Sequence, residues 1–238
     1  MTQQAKNQAD RILYAVGDIH GCADLLAELE HKIVADWEHQ GRKESLLIFL
    51  GDYVDRGPQS AKVIERLIEG FPPPSVHLRG NHEQILLDFL DDPGLGDLWR
   101  RNGGMETLAS YGVDIDAIYN GGGFERAARD LKACLPAAHL SFLNGLKMWF
   151  QAGRYFFCHA GVRPGVPLEA QTADDLLWIR EPFHSSHTDF GKIVVHGHTP
   201  VETADVRPNR INIDTGAVFS GKLTCLVMNG AATRFITT

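Results

Sequence analysis

The stretch RILYAVGDIHGCADLL, residues 11–26, decides how the chain reads. After Arg11 an apolar run climbs to Gly17, and Asp18 and His20 follow two positions apart. Beyond Gly21, the residues Leu25, Leu26, Leu29, Ile33, Val34 and Trp37 recur at helical spacing. A short apolar run closed by glycine marks a buried strand, and the leucine spacing marks an amphipathic helix. The stretch is therefore a strand, a turn and a helix, with a carboxylate and an imidazole released where the strand ends. Alone, an Asp-x-His turn is an ordinary solvated turn, so its meaning depends on its neighbours.

Outward from it, the same event recurs. SLLIFL ends at GDYVDRGP (51–58), SVHLR at GNHE (80–83), RYFFC at HAG (159–161) and KIVV at HGHTP (196–200). Helical patterns follow the second and third runs, through Val63, Ile64, Leu67 and Ile68 and then Ile85, Leu86, Phe89 and Leu90. Alternating strands and helices make parallel sheets, whose ligands sit beyond the carboxyl ends of the strands. The polar clusters should then share one rim: Asp18, His20, Asp52, Asp55, Arg56, Asn81, His82, His159, His196 and His198. Carboxylate, imidazole and amide oxygen without thiolate suit Mn, Fe or Zn, and a pair of catalytic metals wants a carboxylate shared between them. Taken singly, each cluster is a turn; at consecutive strand ends, they are a site.

Composition bounds the rest. The chain has 238 residues, 44% hydrophobic and 22% charged, which suits a single domain spanning 1–238 with an inserted lobe. A net charge of −7 with no basic block excludes nucleic acid and anionic membrane as main partners. The start, MTQQAKNQADR, lacks the apolar core of a signal peptide, and no apolar run is long enough for a membrane span. Cys22, Cys134, Cys158 and Cys225 form no C-x-x-C pair and read as reduced, which with the missing signal peptide predicts a cytoplasmic location. Oligomeric state is left open. In the second half, KMWFQ and RYFFC flank a hairpin turn at Ala152-Gly153, and RINID, KLTCLVM and TRFIT read as further strands. Residues 85–146 are mostly helical or loop-like and form a cap-like lobe beside the rim, where substrate selection is expected.

In order and spacing, GDIHG, GDYVDRGP, RGNHE, HAG and GHTP resemble the signature of calcineurin-like metallophosphoesterases. Within that superfamily they are most similar to the phosphoprotein-phosphatase branch, in particular its bacterial and phage-lambda-type serine/threonine phosphatases. DLLWIREP (175–182), NIDTGAVFSGKLT (212–224) and the NGG and TLASYG motifs around 102–112 extend the resemblance over residues 11–228. It implies an α/β fold, a four-layer α/β/β/α sandwich of two mixed sheets flanked by helices. It also implies two divalent metal ions, Mn²⁺ by preference with Fe or Zn as alternatives. One is held by Asp18, His20 and Asp52, the other by Asp52, Asn81, His159 and His198. Arg56 and Arg180 would clamp phosphate oxygens, with Asn81 touching the phosphate and Arg79 in support. His82, oriented by Asp55, would be the general acid, and metal-bridging hydroxide would attack in line with no phosphoenzyme. Charge agrees: the cations and arginines outweigh the carboxylates by an amount suited to a phosphate dianion. The implied substrate is a phosphorylated protein or peptide.

The rival within the superfamily is a diadenosine tetraphosphatase, against which Asp55 and Glu83 speak. Pro200 stands where a nucleic-acid phosphodiesterase has a metal histidine. A non-catalytic phosphopeptide scaffold would have lost a ligand or the acid, and none is lost. Other residues read as ordinary: His196 as a partly buried strand-end imidazole and Cys158 as core. His31, His39, His139, His184 and His187 read as surface or locally bonded groups, and NGGG (120–123) as a flexible turn.

Overall fold

The computed structural model describes residues 11–238, so the polar stretch before Arg11 lies outside the described residues. Every residue of β1 (Ile12–Val16) is buried, and its side chains alternate between two cores. Tyr14 and Val16 face helices; Leu13 and Ala15 face a second sheet. Helix α1 (Ala23–His39) turns Leu26, Leu29 and Ile33 inward. It leads to β2 (Ser45–Phe49), parallel to β1 with Ala15 opposite Ile48. Helix α2 (Ser60–Glu69) buries Val63, Ile64 and Leu67, and β3 (Ser75–His77) joins β2 in parallel. Helix α3 (Asn81–Asp91) buries Ile85, Leu86, Phe89 and Leu90. The helical spacing in the sequence is the spacing of these buried faces.

Between α3 and the next strand the chain is helical, through α4 (Gly96–Arg101), α5 (Gly104–Ser110), α6 (Gly123–Cys134) and α7 (Ala137–Asn144). The NGGG stretch is no loose turn: Ile118–Gly122 form a π-helical turn that runs into α6. A Cβ on Gly122 would lie 2.5 Å from the Ala117 carbonyl oxygen, so this wide turn depends on the glycine.

The second sheet begins with the expected hairpin, β4 (Trp149–Ala152) antiparallel to β5 (Tyr155–Cys158). A short helix, α8 (Ala173–Trp178), precedes β6 (Ile193–His196), which is parallel to β5. β7 (Asp205–Val206) and β8 (Arg210–Asn212) close the sheet in the order β4-β5-β6-β8-β7. After the short α9 (Ala217–Ser220), the chain crosses back. β9 (Thr224–Asn229) lies antiparallel to β1 and β10 (Ala232–Thr237) forms the edge, giving β10-β9-β1-β2-β3.

The layers follow from side-chain alternation. Leu13, Ile48 and Leu226 of one sheet meet Phe157, Val195 and Ile211 of the other. Phe156, Cys158 and Val194 point outward and are covered by Leu176, Ile179 and Phe183. The protein is thus an α/β/β/α sandwich of two mixed sheets, with a fourth layer made thin by short α8 and turns. Among the described residues, no helix is long and apolar enough to cross a membrane.

Candidate active site at the strand-end rim

The loops after β1 and β2 are bonded to each other. Ile19 and His20 N–H donate to the Asp52 carbonyl at 3.0 and 2.8 Å, and Gly21 N–H to the Tyr53 carbonyl at 2.8 Å. The two sheets meet at the same rim, where His198 N–H donates to Asp18 Oδ2 at 3.0 Å. The backbone there is unusual. Among the described residues, His20, Asp52, Asp55, Arg56 and His198 are all left-handed, with φ from 46° to 71°; Arg42 is the other such non-glycine residue. Each such conformation costs on the order of 1–3 kcal/mol unless its surroundings enforce it. Glu83 does so. Its buried carboxylate accepts Asp52 N–H and Gly80 N–H at 2.9 Å, Tyr53 N–H at 2.7 Å and Val54 N–H at 3.2 Å. Burial and the nearby Asp52 push the Glu83 pKa up to about 7, and the N–H donors pull the other way.

Two groups of donors share Asp52. Asp52 Oδ2 lies 3.5 Å from His20 Nε2, 3.4 Å from His159 Nε2 and 3.8 Å from His82 Nε2. The Asn81 amide oxygen lies 2.8 Å from His159 Nε2 and 2.9 Å from His198 Nδ1, and those two nitrogens are 3.2 Å apart. His20, Asp52 and His82 could hold one cation, and Asp52, His159 and His198 a second. The donor chemistry fits. His20 Nδ1–H donates to the Val54 carbonyl at 2.9 Å and His159 Nδ1–H to the Leu50 carbonyl at 3.0 Å, which turns each Nε2 lone pair inward. Asp18 stands outside both tight groups. Its Oδ2 is taken by His198 N–H, while Oδ1 is buried with no hydrogen-bond partner, as a carboxylate reserved for a cation would be.

Electrostatics carries the same message. Burial lowers the His20 pKa to about 3, and burial together with His159 lowers His198 to about 3, keeping both imidazoles neutral. Burial opposes the charged form of His159 too, yet Asp52, Asp18 and Glu83 lift it to about 9. Burial, with Asp214 and Asp52 close by, raises the Asp18 pKa well above the usual carboxylate range. Concentrated buried carboxylate is an environment that wants cations.

Beside this set, His82 Nδ1–H donates to Asp55 Oδ2 at 2.7 Å. Arg56 spans two imidazoles, with Nη1–H on His20 Nε2 at 2.8 Å and Nη2–H on His82 Nε2 at 2.9 Å. Arg180 is exposed just after α8, near enough to His198 to disfavour its protonation. Trp178 at the end of α8 stands edge-on to His198, centroids 6.0 Å apart.

Arg79 departs from expectation. Its guanidinium donates to Gln84 Oε1 at 2.9 Å and to the Leu143 and Asn144 carbonyls at 3.2 Å, so it faces α7 and fastens the helical segment. His139, expected as a surface or locally bonded group, is buried, because α7 packs it between Tyr111 Oη at 2.9 Å and Glu65 Oε2 at 2.8 Å, both distant in the chain. His196 is buried at the end of β6 against Phe183, with 4.9 Å between centroids. Asp214 went unassigned in the sequence. It is buried near Asp18 and Asp52, and burial lifts its pKa to about 6. Only its place in NIDTGAV hinted at it. Trp99 and Thr107 bind Asp55 from 44 and 52 positions away; Trp99 gave no signal, and Thr107 opens the TLASYG motif, to which the sequence assigned no role.

The sequence model of the family described as calcineurin-like phosphoesterase matches residues 13–218. The asymmetrical bis(5'-nucleosyl)-tetraphosphatase PrpE of Anoxybacillus flavithermus is 28% identical, over 89% of this chain and 88% of its own. Serine/threonine-protein phosphatase 1 of Salmonella typhimurium is 29% identical, over 93% of each. Among solved structures, one described as a putative diadenosine tetraphosphatase superposes with a TM-score of 0.67 at 21% identity, covering 96% of this chain and 98% of its own. A serine/threonine phosphatase of Saccharomyces cerevisiae does so at 0.56 and 13%, covering 97% and 80%.

Proposed function

The chain belongs to the calcineurin-like phosphoesterase family, and from that premise we propose that it is a protein phosphatase, hydrolysing phosphate monoesters of serine and threonine with two divalent cations. The observation that carries the reading is the buried pair of Asp55 and His82, 2.7 Å apart. A serine or threonine alkoxide is a very poor leaving group and needs a proton as the P–O bond breaks. A nucleotide phosphate leaves without one. An imidazole held by a carboxylate is therefore apparatus for an alkoxide, and a dinucleotide hydrolase has little use for it.

Asp18, His20 and Asp52 would hold one cation, and Asp52, Asn81, His159 and His198 the other. When bound, Mn²⁺ or a similar ion supplies Lewis acidity and the activated water that attacks phosphorus. The remaining work falls to the chain. Arg56 and Arg180 bind phosphate oxygens through their forks and orient the ester. Asp55 keeps Nδ1–H of His82 engaged, so that Nε2, once Arg56 has turned from it to the phosphate and it has taken up a proton, delivers that proton to the departing oxygen. The helical segment 85–146 stands beside the rim as the lobe that selects the substrate.

A second reading, hydrolysis of dinucleoside polyphosphates, is favoured by PrpE and by Phe219. That ring is 75% exposed and lies 6.0 Å from the Arg56 guanidinium carbon, where a base could stack. The decisive experiment compares kcat/KM for phosphoserine and phosphothreonine peptides, phosphotyrosine peptides and diadenosine tetraphosphate at fixed Mn²⁺. Phosphoserine or phosphothreonine should be preferred, and a strong chelator should abolish turnover until Mn²⁺ is restored. Preference for the dinucleotide would move the assignment to the second reading.

A further inference from the structure

The general-acid pair is completed from the helical segment. Asp55 is buried to 0% exposure, and beyond His82 its carboxylate has two partners. Trp99 of α4 donates its one N–H across both oxygens, at 3.0 Å to Oδ1 and 2.9 Å to Oδ2. Thr107 of α5 lies 2.6 Å from Oδ1 and must donate its only hydroxyl hydrogen there, since a carboxylate only accepts. Proton bookkeeping then orders the surroundings. Thr107 Oγ1 accepts from Asp55 N–H at 2.9 Å, and Ser60 Oγ–H donates to Thr107 Oγ1 at 3.0 Å. Arg56 N–H binds the Gly103 carbonyl at 3.0 Å, so the same segment also holds the backbone beneath the arginine fork. Trp99 is itself fixed. It packs on Phe89 of α3, centroids 4.7 Å apart, and a Cβ on Gly104 would lie 2.4 Å from its ring.

We infer that Trp99 and Thr107 are positioning residues for proton transfer, holding the Asp55 carboxylate in one rotamer so that His82 keeps its Nδ1–H engaged and its Nε2 turned to the leaving oxygen. The helical segment is then part of the chemistry as well as a wall beside it. The inference rests on the reading of His82 as general acid. It predicts that losing either donor harms the reaction in proportion to how badly the leaving group needs a proton.

The test is a leaving-group series, from phosphoserine peptide through phenyl phosphate to p-nitrophenyl phosphate, at fixed pH and saturating Mn²⁺. Trp99→Phe and Thr107→Val should each lower kcat on phosphoserine peptide by about 10- to 100-fold, the effect of one hydrogen bond to a charged group. The loss on p-nitrophenyl phosphate should be several-fold smaller, with KM little changed. Thr107→Ser, which keeps the hydroxyl, should recover most of the loss, and it keeps the test alive if Trp99→Phe fails to fold. In a His82→Asn background, Thr107→Val should add no further leaving-group dependence. Equal losses across the series, with Thr107→Ser no better than Thr107→Val, would overturn the inference and leave the His82 reading standing. A His82→Asn variant with no leaving-group dependence of its own would overturn both.

Discussion

Glu83 shows how one side chain makes the strained rim affordable. Each of its oxygens accepts two backbone N–H groups, from Asp52 and Gly80 on one and from Tyr53 and Val54 on the other. A glutamine would turn an NH₂ onto two of those donors, and each buried unsatisfied group costs about 1–3 kcal/mol. Glu83→Gln should therefore lower the melting temperature by roughly 5–15 °C, at the usual 2–4 °C per kcal/mol for a chain of this size. Calorimetry checks this, and a shift within a degree would mean the carboxylate is not what holds the loop. Arg180 acts at the same scale. Exposed and without a hydrogen-bond partner among the described residues, its fork is free for a phosphate. Arg180→Ala should cost about 10- to 100-fold in kcat/KM, and Arg180→Lys should rescue poorly because an ammonium lacks the planar fork. Arg180 follows a helix and came only with the DLLWIREP resemblance, whereas Asp18, His20 and Asp52 were legible as chemistry because strand ends expose them in motifs. The left-handed backbone that aims them was not, since no residue type other than glycine announces it.

At the scale of elements, the first turn of α3 carries Asn81, which faces His159 and His198, His82, which faces Asp55, and Glu83, which faces the β2 loop. Successive helical residues diverge by about 100°, so one turn can serve all these partners. The approach is close: a Cβ on Gly80 would lie 2.1 Å from Asp52 Oδ1 and 2.4 Å from its backbone nitrogen. Gly80→Ala should push Asp52 away from its shared position and lower kcat at least about tenfold, with the far-ultraviolet circular dichroism unchanged. Wild-type turnover at saturating Mn²⁺ would show that Asp52 relocates without consequence. The periodicity of α1, α2 and α3 and the parallel order of β1, β2 and β3 were readable because each is written in consecutive side chains. The return of β9 beside β1 and the π-helical turn at Ile118–Gly122 were not, because pairing partners and glycine clearances belong to distant residues.

For the whole molecule, the rim joins two sheets and crowds like-charged groups between them. Asp18 belongs to the first sheet's loops and His198 to the second's, and buried Asp18, Asp52 and Asp214 lie close together. Cations that bind only this folded arrangement stabilise it by mass action, about 2.7 kcal/mol at 100 times Kd. Saturating Mn²⁺ should raise the melting temperature of chelator-treated protein by roughly 5–10 °C, and Asp52→Asn should abolish most of that rise. Titration calorimetry in parallel should give a stoichiometry of two, and a single site would remove the paired-cation reading.

The sequence by itself determined that strands alternate with helices and that polar residues leave the strand ends together. Those properties are local: hydrophobic period and turn chemistry act over a few residues. Only the tertiary structure decided that Arg79 faces α7, that His139 is buried and that Asp55 takes its donors from Trp99 and Thr107. Those contacts join residues far apart in the chain, and burial, which makes each hydrogen bond obligatory, exists only once the layers have packed.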